Sequence, residues 1–403
     1  MACANVFDAL RVATEHLGSE LYHRATFQNL WLNAIPRGQF PKHVGLTKSV
    51  FEMGNAYPTT THRSWDSYTL ASGSNAGACA YNFVDYTVGY DELTYSPKRL
   101  QLRGPLWCKD DFNFDHMSDE FLSGYVVELT KLVEWELGNH LEFEYLNKVP
   151  IVVATPSPNF TAPGAGLVAL PDATSDLTQQ LLDRVRVKLI HSRATNPDSQ
   201  GFISLVDGGP LFTLSLGMEA SQSILLGNSD FRKDIREGSM NSALFRRLGA
   251  DMTIKGFRHV IDPVPIRFTF SGGTYTVVER YVNVSGSKGT YQELNPAWED
   301  ASSAPYEGAW IMSPHVMTWD WVTPDNVVGG QRWDPMSYMG NWKWITGAEA
   351  CATDGSGYDP FKKYGRHISE ISGAAKPGSN RSSGMLIIFK RCELTTITGT
   401  TCS

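Results

Sequence analysis

Apolar side chains recur at helical spacing along residues 118–143: Leu122, Val126, Leu129, Val133, Leu137 and Leu141 step by 4, 3, 4, 4 and 4. That interval places all six on one face of a helix. Ser118 is positioned to cap its start, and Asp119 and Glu120 bring negative charge to the first turn, where the helix dipole favours it. Gly138 is a mild break near the end. Such a helix spans roughly 37 Å at ~1.5 Å per residue. The same period predicts a second helix from about Ser175 to His191, carried by Leu177, Leu181, Val185 and Leu189. Arg184, Arg186, Lys188 and His191 load its C-terminal half with positive charge. Shorter helical pieces are expected around 218–226 and 241–248, stopped by Gly227 and Gly249.

Elsewhere the pattern changes to the period of strands. Residues 84–96 alternate apolar and polar positions rich in β-branched and aromatic residues, which predicts a strand or two-stranded ribbon. Residues 259–270 and 274–284, joined by Ser271-Gly272-Gly273, read as one hairpin. The stretch 385–391 is almost wholly apolar, the signature of a strand covered on both faces. The first 50 residues, with Pro36-Arg37-Gly38 and Pro41, look extended or briefly helical, like an arm. Residues 54–115 carry little helical signal and read as a long loop or hairpin without its own core. The tail from 393 is polar. The predicted class is α+β, with no internal repeat.

Composition sharpens this outline. Charged residues make up 19% of the 403 positions, below the roughly 25% of ordinary soluble domains. Trp 11, Tyr 16 and Phe 19 are plentiful, and the tryptophans concentrate in 296–345. Few charges with many aromatics is the composition of interface cores, so this stretch is expected to face neighbouring molecules. The net charge, 35 − 42 = −7, argues against strong electrostatic docking on nucleic acid. Residues 1–30 show no signal-peptide pattern, and no window approaches ~18 uninterrupted apolar residues. Cys3, Cys79, Cys108, Cys351, Cys392 and Cys402 include no CxxC pair and read as reduced thiols of a cytoplasmic chain. The sequons at Asn159, Asn283 and Asn380 then carry no glycan.

Signatures of chemistry are incomplete wherever they surface. Gly164-x-Gly166-x-x-Ala169 has the form of a dinucleotide fingerprint, but it does not follow a strand directly and Pro171 would interrupt its helix. An ordinary turn is the better account. No GxxxxGK[ST] or GxSxG occurs. Asp111, Asn113 and Asp115 resemble the first half of a calcium loop, but His116 stands where Gly is needed and Leu122 where the bidentate Glu belongs. His16 and His23 could share a helix face, yet two histidines do not make a metal site. Glu134 and Glu136 do not face each other on a helix and read as solvated charges. Trp319-Asp320-Trp321 could line a sugar platform, although packed aromatics are commoner. No catalytic, cofactor-binding or metal-ligating residue is assigned, no cofactor is implied, and an enzyme is not expected.

Arm, long β excursion, one long amphipathic helix, mixed α/β region and closing apolar strand: that order resembles the major capsid protein of tailed bacteriophages. The stretches LFTLSLGMEASQSIL (211–225), YQELNPAWED (291–300), RWDPMSYMGNWKW (332–344) and LIIFKRC (386–392) are also similar to one branch of that family. The resemblance covers nearly the whole chain. It implies an N-terminal arm at 1–52, an extended hairpin E-loop at 53–115 lying across the adjacent subunit, and a P-domain at 116–200 with a spine helix at 118–143. It further implies an A-domain and adjoining β region at 201–380, and a closing P-domain strand with the C-terminal tail at 381–403. The implied function is self-assembly into hexamers and pentamers of an icosahedral phage head enclosing double-stranded DNA. Implied partners are further copies of the chain, a portal, scaffolding or decoration proteins, and packaged DNA contacted without sequence specificity, with no membrane. Localisation would be the virion, after assembly in the host cytoplasm. A charged, helical N-terminal scaffolding segment is not visible, which implies a separate scaffold or none, and no Lys–Asn pair can be nominated for crosslinking. The alternatives from other classes are a carbohydrate-binding or carbohydrate-active protein, motivated by the tryptophans at 296–345, and another virion component such as a tail or decoration protein.

Overall fold

A computed structural model describes residues 30–40, 47–53, 57–58, 86–87, 89–103, 107–108, 119–191, 212–221, 253–254, 257–286, 289–322, 341–346 and 364–391. The chain divides into two compact units, one formed by 43–97 and the other by the remainder.

The larger unit is organised by the strand Tyr306–Met312, buried at every position after Tyr306. Along one edge it pairs antiparallel with Met385–Lys390, which in turn runs parallel to Ile151–Val153. Its other edge is shared: Arg267–Ser271 takes the start and Phe212–Gly217 the end, both antiparallel. Phe257–Asp262 lies parallel to Phe212–Gly217, and Thr253–Ile254 completes that side of an eight-stranded sheet.

Both faces of this sheet are covered, which is why its central strands read as unbroken apolar runs rather than alternating ones. On one face Ile151, Val153, Trp310, Leu386 and Ile388 pack with Leu137, Leu141 and Tyr145 of the long helix Asp119–Leu146. On the other, Val152, Leu214, Ile311, Ile387 and Phe389 pack with Leu181, Leu182, Val185 and Leu189 of the helix Gln179–His191. The period-2 alternation that strand geometry imposes thus sends neighbouring residues of one strand into two different cores.

Trp31, the first residue of the short helix Trp31–Ala34, and Ile35, which follows it, are buried in the first of these cores. The Trp31 ring stands edge-on to Trp310 at 5.0 Å and tilted against Tyr145 at 5.0 Å. A second, six-stranded sheet gathers Arg37–Gln39, Met317–Trp321, Tyr364–Pro377 and Asn341–Thr346, with Lys98–Arg103 and Trp107–Cys108 on the long strand 364–377. Residues 98–103 and 107–108, inside the expected E-loop, are therefore strands of the larger unit. Gly373 lies opposite Trp321 in this sheet, and any side chain there would enter the Trp319 ring.

The smaller unit holds two antiparallel pairs, Lys48–Met53 with Tyr90–Tyr95 and Tyr57–Pro58 with Tyr86–Thr87. Within the alternating stretch, 86–87 and 90–95 are therefore strands of two antiparallel pairs.

Two expectations are corrected. The second helix begins at Gln179, not Ser175, because the Thr178 hydroxyl accepts the Leu181 N–H at 3.2 Å as a cap. Residues 174 and 175 instead donate their backbone N–H groups to the Ala154 carbonyl at 3.0 and 3.3 Å. The stretch 259–284 is not one hairpin. Pro263 and Pro265 lack ladder donors, and the Asp262 carboxylate accepts the Val264 N–H at 3.0 Å, turning the chain out of the sheet. The hairpin is confined to Arg267–Ser271 and Thr274–Val277, joined through Gly272 (φ 58°) and Gly273 (φ 82°), whose positive φ values suit a tight turn. Tyr281–Gly286 pairs instead with Gly289–Leu294. Of the expected short helices, residues 218–221 are helical, while 222–226 and 241–248 lie outside the described residues.

Candidate functional site

The residues singled out by sequence fall apart in space. Gly164 and Gly166 have φ of 80° and 75° and Ala169 has φ 59°, so the fingerprint-like stretch is a turn with no helix behind it. Asp111, Asn113, Asp115, His116, His16 and His23 lie outside the described residues, as do all cysteines except Cys108. Glu134 and Glu136 are half-buried rather than fully solvated, and burial raises the Glu136 carboxyl. Asn380 caps the turn Arg381–Ser383 by accepting the Ser382 N–H at 3.0 Å.

Trp319-Asp320-Trp321 is not a sugar platform. Trp319 and Asp320 are buried, and Trp319 meets His140 and Trp321 in edge-on contacts with centroids at 5.5 and 5.9 Å. Trp298 and Trp310 are buried as well. The described tryptophans of 296–345 with assigned burial thus fill or border the subunit's own cores, correcting the expectation that this stretch faces neighbours. On the central strand Trp310 fills one core while Ala309 and Ile311 face the other.

What the sequence did not reveal is a set of charged groups sealed between these elements. The Arg280 guanidinium donates two hydrogen bonds to Glu142 of the long helix, at 2.7 and 2.9 Å, and a third to the Val264 carbonyl at 2.9 Å. Glu142 also accepts the Trp310 indole N–H at 2.9 Å. Burial works against the Arg280 charge, but Glu142 outweighs it and raises the guanidinium above its ordinary value. Glu144, one residue from the exposed Phe143, accepts a hydrogen bond from Lys98 and lies 3.7 Å from Lys148 Nζ. Burial alone would raise its carboxyl; the Lys98 bond and the Lys148 charge reverse this and leave it below the usual range. Beside it, burial lowers His140.

A third cluster sits where the central strand begins. Glu307, 1% exposed, faces its cross-strand partner Arg267, whose Nε lies 3.5 Å from Oε2. The Arg267 plane stacks 3.7 Å from the Trp298 ring, and its Nη1 donates to the Trp298 carbonyl at 2.8 Å. Glu219 bridges Arg267 at 3.7 Å and Arg391 at 3.1 Å, and Arg391 donates to the Glu299 carbonyl at 2.7 Å. Burial, only partly offset by Arg267, pushes the Glu307 carboxyl up to about 7. A small cavity lined by Asp176, Glu219, Glu307 and Arg391 adjoins it. This carboxyl is enclosed by the fold, with 1% of its surface exposed.

Among the described residues, no group of three or more His, Cys, Asp or Glu side chains is placed to hold a metal ion. No described helix is long and apolar enough to cross a membrane. One signal was present in the sequence: Glu307 is a charge within the otherwise apolar run of the strand Tyr306–Met312.

Outward-facing apolar side chains mark the surfaces available for contact. In the smaller unit Phe51 and Tyr90 are 59% and 72% exposed and meet edge-on at 6.1 Å. On the larger unit Phe143, Val168, Val187 and Met218 are each at least half exposed.

No family model matches the chain, and no curated protein sequence matches it. Solved structures do. The cyanophage Pam1 capsid asymmetric unit matches over 92% of this chain and 95% of that chain, with TM-score 0.50 and 13% identity. The capsid of Ralstonia phage GP4 matches over 94% and 95%, with TM-score 0.47 and 12% identity. The capsid of Myoviridae phage XM1 matches over 93% and 96%, with TM-score 0.43 and 9% identity. The Pam1 likeness gives this chain the fold of tailed-phage capsid subunits, a mixed helix-and-strand architecture extending over most of its length.

Proposed function

We propose that this chain is the major shell subunit of a tailed-phage head, assembling with copies of itself into hexamers and pentamers of an icosahedral capsid around double-stranded DNA. The observation that carries the reading is the capsid fold extending over 92% of the chain. Two features of the molecule support it. Its buried charges are spent on joining helices to sheets. Its exposed aromatic pair, Phe51 and Tyr90, lies on the smaller unit and faces outward from that unit's strands.

In this reading residues 53–115 form the E-loop, which includes most of the unit 43–97 and lies across a neighbour. The long helix Asp119–Leu146 is the spine of the P-domain, and the strand Met385–Lys390 closes it. Residues 1–52 form the arm, and the A-domain lies within 201–380. The partners are further copies of the chain, a portal, scaffolding or decoration proteins, and packaged DNA; the subunit resides in the virion after assembly in the host cytoplasm. No catalysis is required of it.

Copy number tests this reading. Quantitative mass spectrometry of purified virions carrying this chain is expected to return on the order of hundreds of copies per particle, as a closed symmetric shell requires. A count of a dozen or fewer would instead make it a tail or portal-vertex component.

A further inference from the structure

We propose that Glu307, Arg267, Glu219 and Arg391 form a proton-linked latch that fastens residues 218–221 and the end of the strand Met385–Lys390 to the central sheet. The latch is closed with a proton on Glu307, and opening releases that proton to solvent.

The geometry sets this up. Glu307 contributes from the central strand, Arg267 from the adjacent strand, Glu219 from the turn of helix after Phe212–Gly217, and Arg391 from the residue after Met385–Lys390. Glu219 is the pivot, since its Oε2 faces both guanidiniums. Glu307 Oε1 is fully enclosed and has no hydrogen-bond partner among the described residues, and Glu219, Glu307, Phe389 and Leu177 line the neighbouring cavity. Gly217 backs onto the same oxygen, and a side chain there would overlap it.

An ionised carboxylate with one unpartnered oxygen is costly in such a place, whereas the neutral acid is not. Once the latch opens, water reaches Oε1 and the charge is solvated. The closed state therefore holds the proton that the open state gives up. The charged groups facing Glu307 are Arg267, Arg391, Glu219 and Asp262, of which the arginines favour its ionised form and the acids its neutral form. Asp176 lines the cavity from the segment before the helix Gln179–His191.

The sign follows from proton counting. Between the ordinary carboxylate value of 4.5 and about 7 the closed latch binds more protons than the open one. Opening becomes easier by up to about tenfold per pH unit over that window and levels off above it. His259, buried on the strand paired with Phe212–Gly217, titrates with the opposite sign, so the latch must be read against a control that keeps this histidine.

Hydrogen exchange of the whole chain provides the test, comparing wild type with Glu307→Gln between pH 5 and 8. Rates are corrected for intrinsic exchange and read on peptides covering 212–221 and 385–391. Opening in wild type is expected to rise at least about tenfold relative to Glu307→Gln across this range. Equal pH dependence in the two proteins would overturn the latch. Should the variant fail to fold, isotope-edited infrared spectra of wild type labelled at glutamate decide the matter. A buried neutral carboxylic acid band is expected at pH 6 and lost by pH 8; its absence at pH 6 overturns the proposal.

Discussion

Arg280 grips Glu142 across 138 residues of chain with two parallel hydrogen bonds, Nη1 to Oε2 at 2.7 Å and Nη2 to Oε1 at 2.9 Å. The pair clamps the long helix to the segment between two hairpins, and Trp310 of the central strand completes it through its indole N–H. Three elements distant in sequence are thereby fixed in one place. Removing one member leaves the other charge buried and unpaired, so Arg280→Met is expected to destabilise the chain by about 3–5 kcal/mol. Glu142→Leu with Arg280→Met should recover part of that loss. Denaturant unfolding of the three proteins checks this, and a single-variant cost below about 1 kcal/mol would contradict the clamp.

Tyr145 makes a similar junction without charge. Its hydroxyl donates to the Ile311 carbonyl at 2.9 Å and accepts the Ser313 N–H at 3.1 Å, while its ring packs against both Trp31 and Trp310. Burial holds its phenol well above the ordinary tyrosine range. Tyr145→Phe keeps the packing and orphans two backbone groups, and an expected cost of about 1–3 kcal/mol follows. Calorimetry or chemical unfolding measures it directly; an unchanged midpoint would show that the hydroxyl contributes nothing.

Acid sensitivity should trace in part to His259. Both its ring nitrogens are enclosed without a hydrogen-bond partner among the described residues, and burial lowers its pKa below 6.5. A base with a lowered folded-state pKa contributes stability that is present above the unfolded value of 6.5 and lost as pH falls below it. His259→Leu removes the titrating group from an apolar site, so its melting temperature should fall less than that of wild type between pH 7 and pH 5. Identical falls in the two proteins would count against this cause.

Those clusters show what was legible in the sequence and what was not. The long helix announces itself because its apolar residues keep one period for twenty positions, and the strand at 385–391 because nothing interrupts its apolar run. The turn at Gly272 and Gly273 is equally plain, but the strand-like composition around Pro263 and Pro265 masks the break that sends 257–262 and 267–271 to separate partners. Tryptophan concentration was visible while its destination was not, since composition does not distinguish an interface core from a subunit core. The clamp and the latch were hidden for a simpler reason. Glu142 and Arg280 are 138 positions apart, and only the packing of the long helix against the segment between the hairpins brings them together.

The exposed aromatic pair of the smaller unit should matter to assembly and not to folding. Phe51 and Tyr90 lie on strands paired from Lys48↔Tyr95 to Met53↔Tyr90. Phe51→Ser with Tyr90→Ser is expected to shift unfolding of the isolated chain by no more than about 0.5 kcal/mol. The concentration needed for assembly should rise at least tenfold, which corresponds to about 1.4 kcal/mol per subunit. Light scattering against concentration gives the second quantity. Unaltered assembly would remove these residues from the intersubunit surface.

Sedimentation of the purified full-length chain, expressed alone or with the other head proteins of its source, and paired with negative-stain micrographs, tests the central claim most directly. Closed, uniform shells or discrete capsomers in the megadalton to sub-megadalton range are the predicted result. A chain that stays monomeric at high concentration, with and without those partners, would contradict the account.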